Sequence, residues 1–385
     1  MKIMHLCLAC FYIDNYSYQE NLLPKYHKKM GNDVVIVAST ESFDSDGKLT
    51  YVEPRTYFNE DGIKVTRLPY RRFFIPLLSK KIRKYKGLNE QLNTYNPDFI
   101  FIHGSEFGDT NIVAKYAKNH RVTIVCDCHS DFSNSARSFL TYHLLHKGYY
   151  KMCTKRLLPY TKRFYGVLPA RVDFLVKVLG VPKEKCSLLV MGVDDELVDN
   201  LDSDCKLKVR KKYGIMPSDY LIVTGGKIDL FKKQTFLLMR AVKDLKEYRV
   251  KLVVFGSVCP ELKEEFNSLC DNETIFYAGW KDLKESYELL SSANLAIYPG
   301  RHSVYWEHTV GLGTPLVVKK WENTQHVNVC GNAIFLESDS KELIKDTILK
   351  YLFTDDYSFL KAAADKAKKE FLYSRIAKKS LGADN

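Results

Sequence analysis

The sequence predicts an α/β protein of two Rossmann-like domains, and three observations carry that expectation. Short apolar strands alternate with helical stretches along the whole chain, the pattern of parallel sheets joined by crossover helices. The pattern pauses at an acidic, polar stretch, 194–204, and then restarts. The chain has 385 residues, beyond the size at which a single hydrophobic core keeps growing.

The first half offers strands at Lys2–Leu8, Asp33–Ala38, Ile63–Leu68, Phe99–His103, Thr123–Cys128, Arg163–Leu168 and Cys186–Val190. Helical runs at Tyr18–Met30, Asp109–Asn119 and Ala170–Leu179 lie between them, and Gly31 reads as a helix stop. The second half offers strands at Leu221–Thr224, Lys251–Phe255, Thr274–Tyr277, Leu295–Tyr298, Pro315–Val318 and Ala333–Leu336. The expected domains are therefore residues 1–195 and 205–365, with 194–204 as linker and a cleft between the two. No short-period repeat and no low-complexity segment is visible.

Composition narrows the class. Hydrophobic residues make up 45% and charged residues 27%, as in an ordinary globular chain. The net charge of +12 asks for an anionic partner: nucleic acid, acidic lipid or a phosphorylated substrate. No stretch approaches the ~20 apolar residues that span a bilayer. The apolar run from Lys2 to Cys10 is short and interrupted by His5, so it reads as a first buried strand rather than a leader. The ten cysteines are scattered, which suits a reducing cytoplasm. The pairs Cys7/Cys10 and Cys126/Cys128 could supply thiolates to zinc, but they sit at apolar strand ends, where free Cys behaves as a small hydrophobe.

Two segments carry chemistry. In Tyr298–Val318 a strand ends at Pro299–Gly300, a helix carries Glu307, and Gly311 and Gly313 precede a strand opening at Pro315. A carboxylate on the helix after a Rossmann strand can accept both hydroxyls of a ribose. The helix start near His302 and Ser303 offers backbone N–H groups to a phosphate. Spacing alone leaves open the plainer reading, a helix whose Glu307 is merely solvated. The second segment follows the strand ending at Cys128, where Asp127, His129, Asp131 and Asn134 cluster at its C-terminal end. A lone His is commonly a structural residue; a polar cluster at this end of a parallel strand also reads as a binding site. His103, ending another strand, has the weaker claim.

The segment around Glu307 resembles the C-terminal signature of retaining glycosyltransferases with the GT-B fold, in particular family 4 and its bacterial polysaccharide members of the capsule and O-antigen type. That family carries two glutamates eight residues apart, then a small residue, a glycine and a proline. Glu307, Gly311, Gly313 and Pro315 match the second half; Pro299 stands where the first glutamate would be. The run TGGKIDLFKKQ, Thr224–Gln234, resembles the family's phosphate clamp, with Gly225 and Gly226 at the turn and Lys227 and Lys232 as its cations. His129 matches a family histidine near the reacting carbon. Tyr18-Gln19-Glu20-Asn21 resembles the start of the first helix in the polysaccharide subgroup. The last helix, within 366–385, resembles one that returns to the first domain.

The resemblance implies two Rossmann-like domains facing a central cleft: an N-terminal acceptor domain and a C-terminal nucleotide-sugar domain. The implied reaction is sugar transfer, with retention, from a nucleotide-sugar donor (a UDP-sugar) to a lipid-linked or glycan acceptor. His129, Lys227 and Lys232 are the expected catalytic residues. Gly225, Gly226, Lys227, Lys232, His302, Ser303 and Glu307 are expected to bind the donor, and Tyr18, Asp131 and Asn134 to lie on the acceptor side. No metal and no cofactor are expected: lysines can replace a divalent ion, and Asp202-Ser203-Asp204, which has the Asp-x-Asp form, lies in the expected linker. Residues 67–89 and 132–172 each hold eight basic and no acidic residues, interleaved with apolar ones. They read as a surface for anionic lipid, placing the protein peripherally at the inner face of a cytoplasmic membrane, or as a solvated face. No helix-turn-helix, zinc-finger or RNP-like pattern favours nucleic acid. Two alternatives stay open: a nucleotide-sugar epimerase or hydrolase of the same fold, and a non-catalytic glycan- or lipid-binding protein with a degraded donor site.

Overall fold

The computed structural model describes all residues except 45–47, 72–75, 133–134, 136–137, 140 and 383–385, and the side chains of 76–78 are likewise outside the description. The chain divides into two compact units, Met1–Val190 with Ile376–Asn385, and Met191–Arg375.

The first unit is built on β1 (Lys2–Cys7), β2 (Asp33–Ser39), β3 (Glu41–Phe43), β4 (Leu49–Tyr51), β5 (Thr56–Phe58), β6 (Lys64–Leu68), β7 (Phe99–His103), β8 (Thr123–Cys128), β9 (Thr161–Gly166) and β10 (Cys186–Leu188). Eight of these form one sheet in the order β10-β9-β8-β7-β1-β2-β6-β5. All its pairings are parallel except β5 on β6. The central strands are near-continuous apolar runs because both faces are covered. Met4, Leu6, Ile100, Ile102, Ile124 and Cys126 form the core on one face. The alternate positions, His5, Phe101, His103 and Asp127, fall on the other face and are also fully buried. Helix α1 (Gln19–Lys29) and the closing helix Tyr373–Ser380 contribute His27 and Ser380 beside them.

The second unit holds β11 (Tyr220–Gly225), β12 (Val250–Phe255), β13 (Ile275–Gly279), β14 (Leu295–Tyr298), β15 (Leu316–Lys319) and β16 (Ala333–Leu336). They form a wholly parallel sheet in the order β13-β12-β11-β14-β15-β16. This is the doubly wound order, in which the winding reverses between the first and fourth strands. Ile222, Leu252, Val254, Leu295, Ile297 and Val317 anchor its core. The architecture is the expected mixed α/β fold with two parallel sheets.

The structure differs from the sequence reading in places. β3, β4 and β5 are additional short strands. The stretch read as a linker starts with helix Asp195–Asp199, where the Asp194 side chain accepts from the Glu196 N–H at 3.2 Å. Val193 before it exchanges backbone hydrogen bonds with Phe371 and Tyr373 at 2.8 and 3.1 Å, so this segment is built into the second unit. The C-terminal stretch 366–385 is shared between the units, which part at Arg375.

Candidate active site

In the second unit the end of β11 meets the end of β14 at the point where the winding reverses. Gly225 closes β11 because a Cβ there would lie 2.4 Å from the Phe255 ring. Gly226 then turns the chain off the strand with φ +105°, a conformation that L side chains rarely adopt. The turn leaves a shallow, partly open pocket lined among others by Gly225, Lys232, Thr235, Gly300, Arg301 and Ser303. Lys232 is half-buried in it. Burial pushes its ammonium pKa down, Asp229 opposes that, and Lys227 adds to it. Trp321 donates its indole N–H to the Gly300 carbonyl at 3.1 Å and braces the rim. An anion here would meet a partly desolvated cation, where a charge-assisted bond is strongest.

Glu307 lies beyond this lining, in the seven-residue helix Tyr305–Gly311. It is fully buried, so the solvated alternative does not hold. Its carboxylate accepts from His302 Nε2 at 2.9 and 3.1 Å and from His326 Nε2 at 2.7 Å. Burial alone would raise the Glu307 pKa; the charge and hydrogen bond of His302 and the hydrogen bond of His326 hold it well below the carboxylate range. His326 is enclosed, while the His302 side chain is 17% exposed and forms the outer side of the cluster.

In the first unit the winding reverses between β1 and β7. Asp127, at the end of β8, accepts from Gln19 Nε2 (2.9 Å), His103 Nδ1 (3.0 Å), the Gly104 N–H (3.1 Å) and His129 Nε2 (3.3 Å). Burial opposes its ionisation, but His129 and His103 pull its pKa well below the ordinary value. His129 is half-buried, 3.9 Å from Glu20. Burial works against its cation; the charges of Asp127 and Glu20 outweigh it and raise the pKa.

The structure thus brings Gly225, Lys232 and Ser303 to one pocket, with Gly226 at its turn, and joins His302 to Glu307. Lys227 is exposed and outside the pocket lining. Asp131 is buried and meets Arg171 Nε at 3.4 Å. Tyr18 is exposed at the start of α1, whereas its neighbours Gln19 and Glu20 turn inward to Asp127 and His129. Asn134 lies outside the described residues. Arg301, Gln19 and His326, to which sequence reasoning gave no role, also line the pocket or join these clusters, and His103 bonds Asp127 directly; the partners of Gln19, His103 and His326 are distant in sequence. Of the basic stretch 67–89, Arg67 is not surface. It is buried and donates to the carbonyls of Ser39 and Tyr12 at 3.1 Å. Among the described residues, two groups bring metal-ligand atoms within 4.8 Å of one another: Glu20/His103/His129 and His302/Glu307/His326. Hydrogen bonds to Asp127 and to Glu307 already account for both arrangements.

Residues 22–197 match the sequence profile of Glycosyltransferase Family 4. A search of curated proteins by sequence gave no match. Solved structures with the same fold include the complex of Anabaena Alr3699/HepE with UDP-glucose, at 15% identity and TM-score 0.65, covering 99% of this chain and 98% of that one. A glycosyltransferase from Rickettsia africae is similar at 14% identity and TM-score 0.66, covering 99% and 97%. The UDP-GlcNAc 2-epimerase of Neisseria meningitidis bound to UDP-GlcNAc is similar at 12% identity and TM-score 0.59, covering both chains fully. At these identities the likeness establishes the fold, that of the GT-B glycosyltransferases.

Proposed function

We propose that this protein is a glycosyltransferase that moves a sugar, with retention, from a UDP-sugar to a lipid-linked or glycan acceptor in surface polysaccharide synthesis. The observation that carries the reading is the pocket where β11 and β14 part, with half-buried Lys232 in its wall. Ligands of doubly wound sheets bind at such a reversal. The diphosphate sits against Lys232, the Gly225–Gly226 turn and Ser303, and Lys227 adds positive field from outside. As the C1–O bond to the diphosphate breaks, its electron pair moves onto the phosphate, and Lys232 stabilises that growing charge. The acceptor oxygen attacks C1 from the same face, and its proton passes to the leaving phosphate. His129 is the catalytic candidate that the first unit contributes to this reading. Asp131 and Tyr18 remain candidate acceptor-side residues.

Glu307 holds the ribose in this reading, and its burial sets a condition. Ribose hydroxyls reach the carboxylate only by replacing the bond from His302, the more exposed of its two partners. Glu307→Ala should weaken UDP binding by roughly 1.5–3 kcal/mol, the range for hydrogen bonds to charged groups. Unchanged UDP affinity in a folded Glu307→Ala protein would remove Glu307 from the donor site.

Among the described residues no helix is long and apolar enough to cross a membrane. The exposed Arg71, Lys80 and Lys81 make reversible docking on anionic lipid at the cytoplasmic leaflet part of the proposal. The fold is shared with a UDP-GlcNAc 2-epimerase, so the deciding experiment follows the sugar. Incubation with labelled nucleotide sugars and membrane extract should place label in a lipid fraction and release nucleotide. A 2-epimer or free sugar with no labelled acceptor would favour the epimerase or hydrolase reading instead.

A further inference from the structure

A line of buried imidazoles runs through the first unit. His27 Nε2 meets the Ala377 carbonyl at 3.1 Å and Ser380 Oγ at 2.9 Å. His27 Nδ1 meets His5 Nε2 at 3.0 Å, and His5 Nδ1 meets His103 Nε2 at 3.0 Å. His103 Nδ1 meets Asp127 Oδ2 at 3.0 Å. His5, His27, His103, Asp127 and Ser380 are all fully buried. The line is a product of topology: β1, β7 and β8 are adjacent, and His103 is in register with Asp127.

Protons can be counted along it. The four contacts from Ala377 to Asp127 each need one proton between their heavy atoms. The end partners, a carbonyl and an ionised carboxylate, only accept. Three neutral imidazoles supply three N–H groups, so the fourth contact closes only when one ring carries a second proton. Ser380 does not replace it: its hydroxyl donates to the Ala377 carbonyl at 2.8 Å. Donation from Ser380 to His27 instead would set the bare Nε2 lone pair against that carbonyl.

We propose that this line holds one proton more than three neutral imidazoles carry, lodged on His103 against Asp127. His27, His5 and His103 are then positioning residues that set the charge of His129 through the shared Asp127 carboxylate. Every charged or titratable group facing the line fits this arrangement. Burial, then repulsion from His27 and His103, keeps His5 neutral. Burial, opposed by the bond to Ala377, brings His27 down to about 4. At His103 burial is outweighed by Cys7 on β1, Asp127 on β8 and Glu20 on α1, and the pKa rises to about 9. His129 is faced by Asp127, Glu20 and Arg171. An imidazolium at His103 balances part of the Asp127 charge that His129 would otherwise feel alone.

The extra proton stands on the contact count and its place on the one ring that meets a carboxylate; its use at His129 rests on the glycosyl-transfer reading above. The test is a pair of substitutions at the far end. His27→Gln keeps a donor for Ala377 and an acceptor for His5, so the extra proton stays. His27→Leu leaves two contacts for two neutral rings, so it goes. In ¹⁵N NMR of histidine-labelled full-length protein at pH 7.5, His103 should carry both N–H groups in the parent chain and in His27→Gln. It should carry only Nδ1–H in His27→Leu. A neutral His103 in the parent chain, which needs no variant to fold, or a doubly protonated one in His27→Leu, overturns the proposal. In pH profiles of UDP-sugar turnover, the limb assigned to His129 should move up by about one unit in His27→Leu, as an unbalanced neighbouring carboxylate requires, and stay in place in His27→Gln. An unmoved limb with the proton gone overturns the positioning role. A parent chain with the proton in place but no turnover on any nucleotide sugar defeats the glycosyl-transfer reading, and with it the use at His129.

Discussion

Both units wind helices around a parallel sheet, yet they place ionisable groups differently. The first unit carries them into the sheet itself: His5, His103 and Asp127 stand on its three central strands with no exposure. The second keeps its central strands apolar and puts Lys232 in a pocket wall and Glu307 on a helix behind it. Burying charge in a sheet costs several kcal/mol unless every lone pair and proton finds a partner. The first unit meets that cost with an unbroken hydrogen-bonded line, so it is sensitive to any break. The second leaves a cation partly desolvated and open to an anion, as a binding site requires.

The sharpest way to break the contrast is Asp127→Ala. It releases the extra proton and strips the acceptor from the buried Gln19 Nε2 and Gly104 N–H, and each donor left unsatisfied costs about 1–3 kcal/mol. Amide exchange should accelerate across 1–190 and much less across 191–375. Uniform acceleration would mean that the line does not anchor the first unit separately. Lys232→Ala should act the other way, leaving exchange intact while slowing turnover by about 10²–10³-fold, the usual loss for one donor to a developing anion. If UDP affinity fell instead and turnover per bound donor held, Lys232 would be a ground-state contact.

Acidity separates the units more gently. His27 lies at about 4 when folded against an ordinary 6.5, so its contribution is full above 6.5 and is lost as pH falls toward 4. The loss is about 3 kcal/mol, counting roughly 1.4 kcal/mol per unit. His5, also depressed, acts in the same direction. His103, raised to about 9, has the opposite sign: its contribution is full below 6.5 and is lost as pH rises through 9. The first unit should therefore be most stable near pH 6.5 and weaken on both sides. In the second unit only the acid limb has a counterpart, in His308, which burial brings down to about 4. Exchange measured from pH 4 to 9.5 would show this, and a flat profile in the first unit would remove the assigned charge states. The smallest effect belongs to the surface. Replacing Arg71, Lys80 and Lys81 with Ser should weaken binding to anionic vesicles by about 1 kcal/mol per charge at low salt. Equal binding to neutral vesicles would exclude electrostatic docking.

How much of this was legible in the sequence depends on distance along the chain. β1, β7, β8 and β14 were found within a residue or two because doubly covered strands are unbroken apolar runs. β3, β4 and β5 are three-residue strands, too short to show a period. Gly225 and Lys232 stood out through the resemblance of Thr224–Gln234 to the family's phosphate clamp, and Ser303 through its place at a helix start after a strand that the apolar pattern marks. His5, His27 and His103 carried no usable spacing, since only the strand order brings them together. His326, 19 residues beyond Glu307, was equally hidden, and so was the burial that makes Glu307 a shared acceptor.

The donor nucleotide is proposed to belong to the second unit, where the strands part, and not to the ionisable face of the first. A crystal structure of the protein grown with UDP tests this most directly. The diphosphate should lie within hydrogen-bonding distance of Lys232 and Ser303 beside the Gly225–Gly226 turn, with the His302–Glu307 contact exchanged for a ribose hydroxyl. UDP bound instead against His129 and Asp127, or Lys232 left unengaged in a UDP-bound protein, would contradict it.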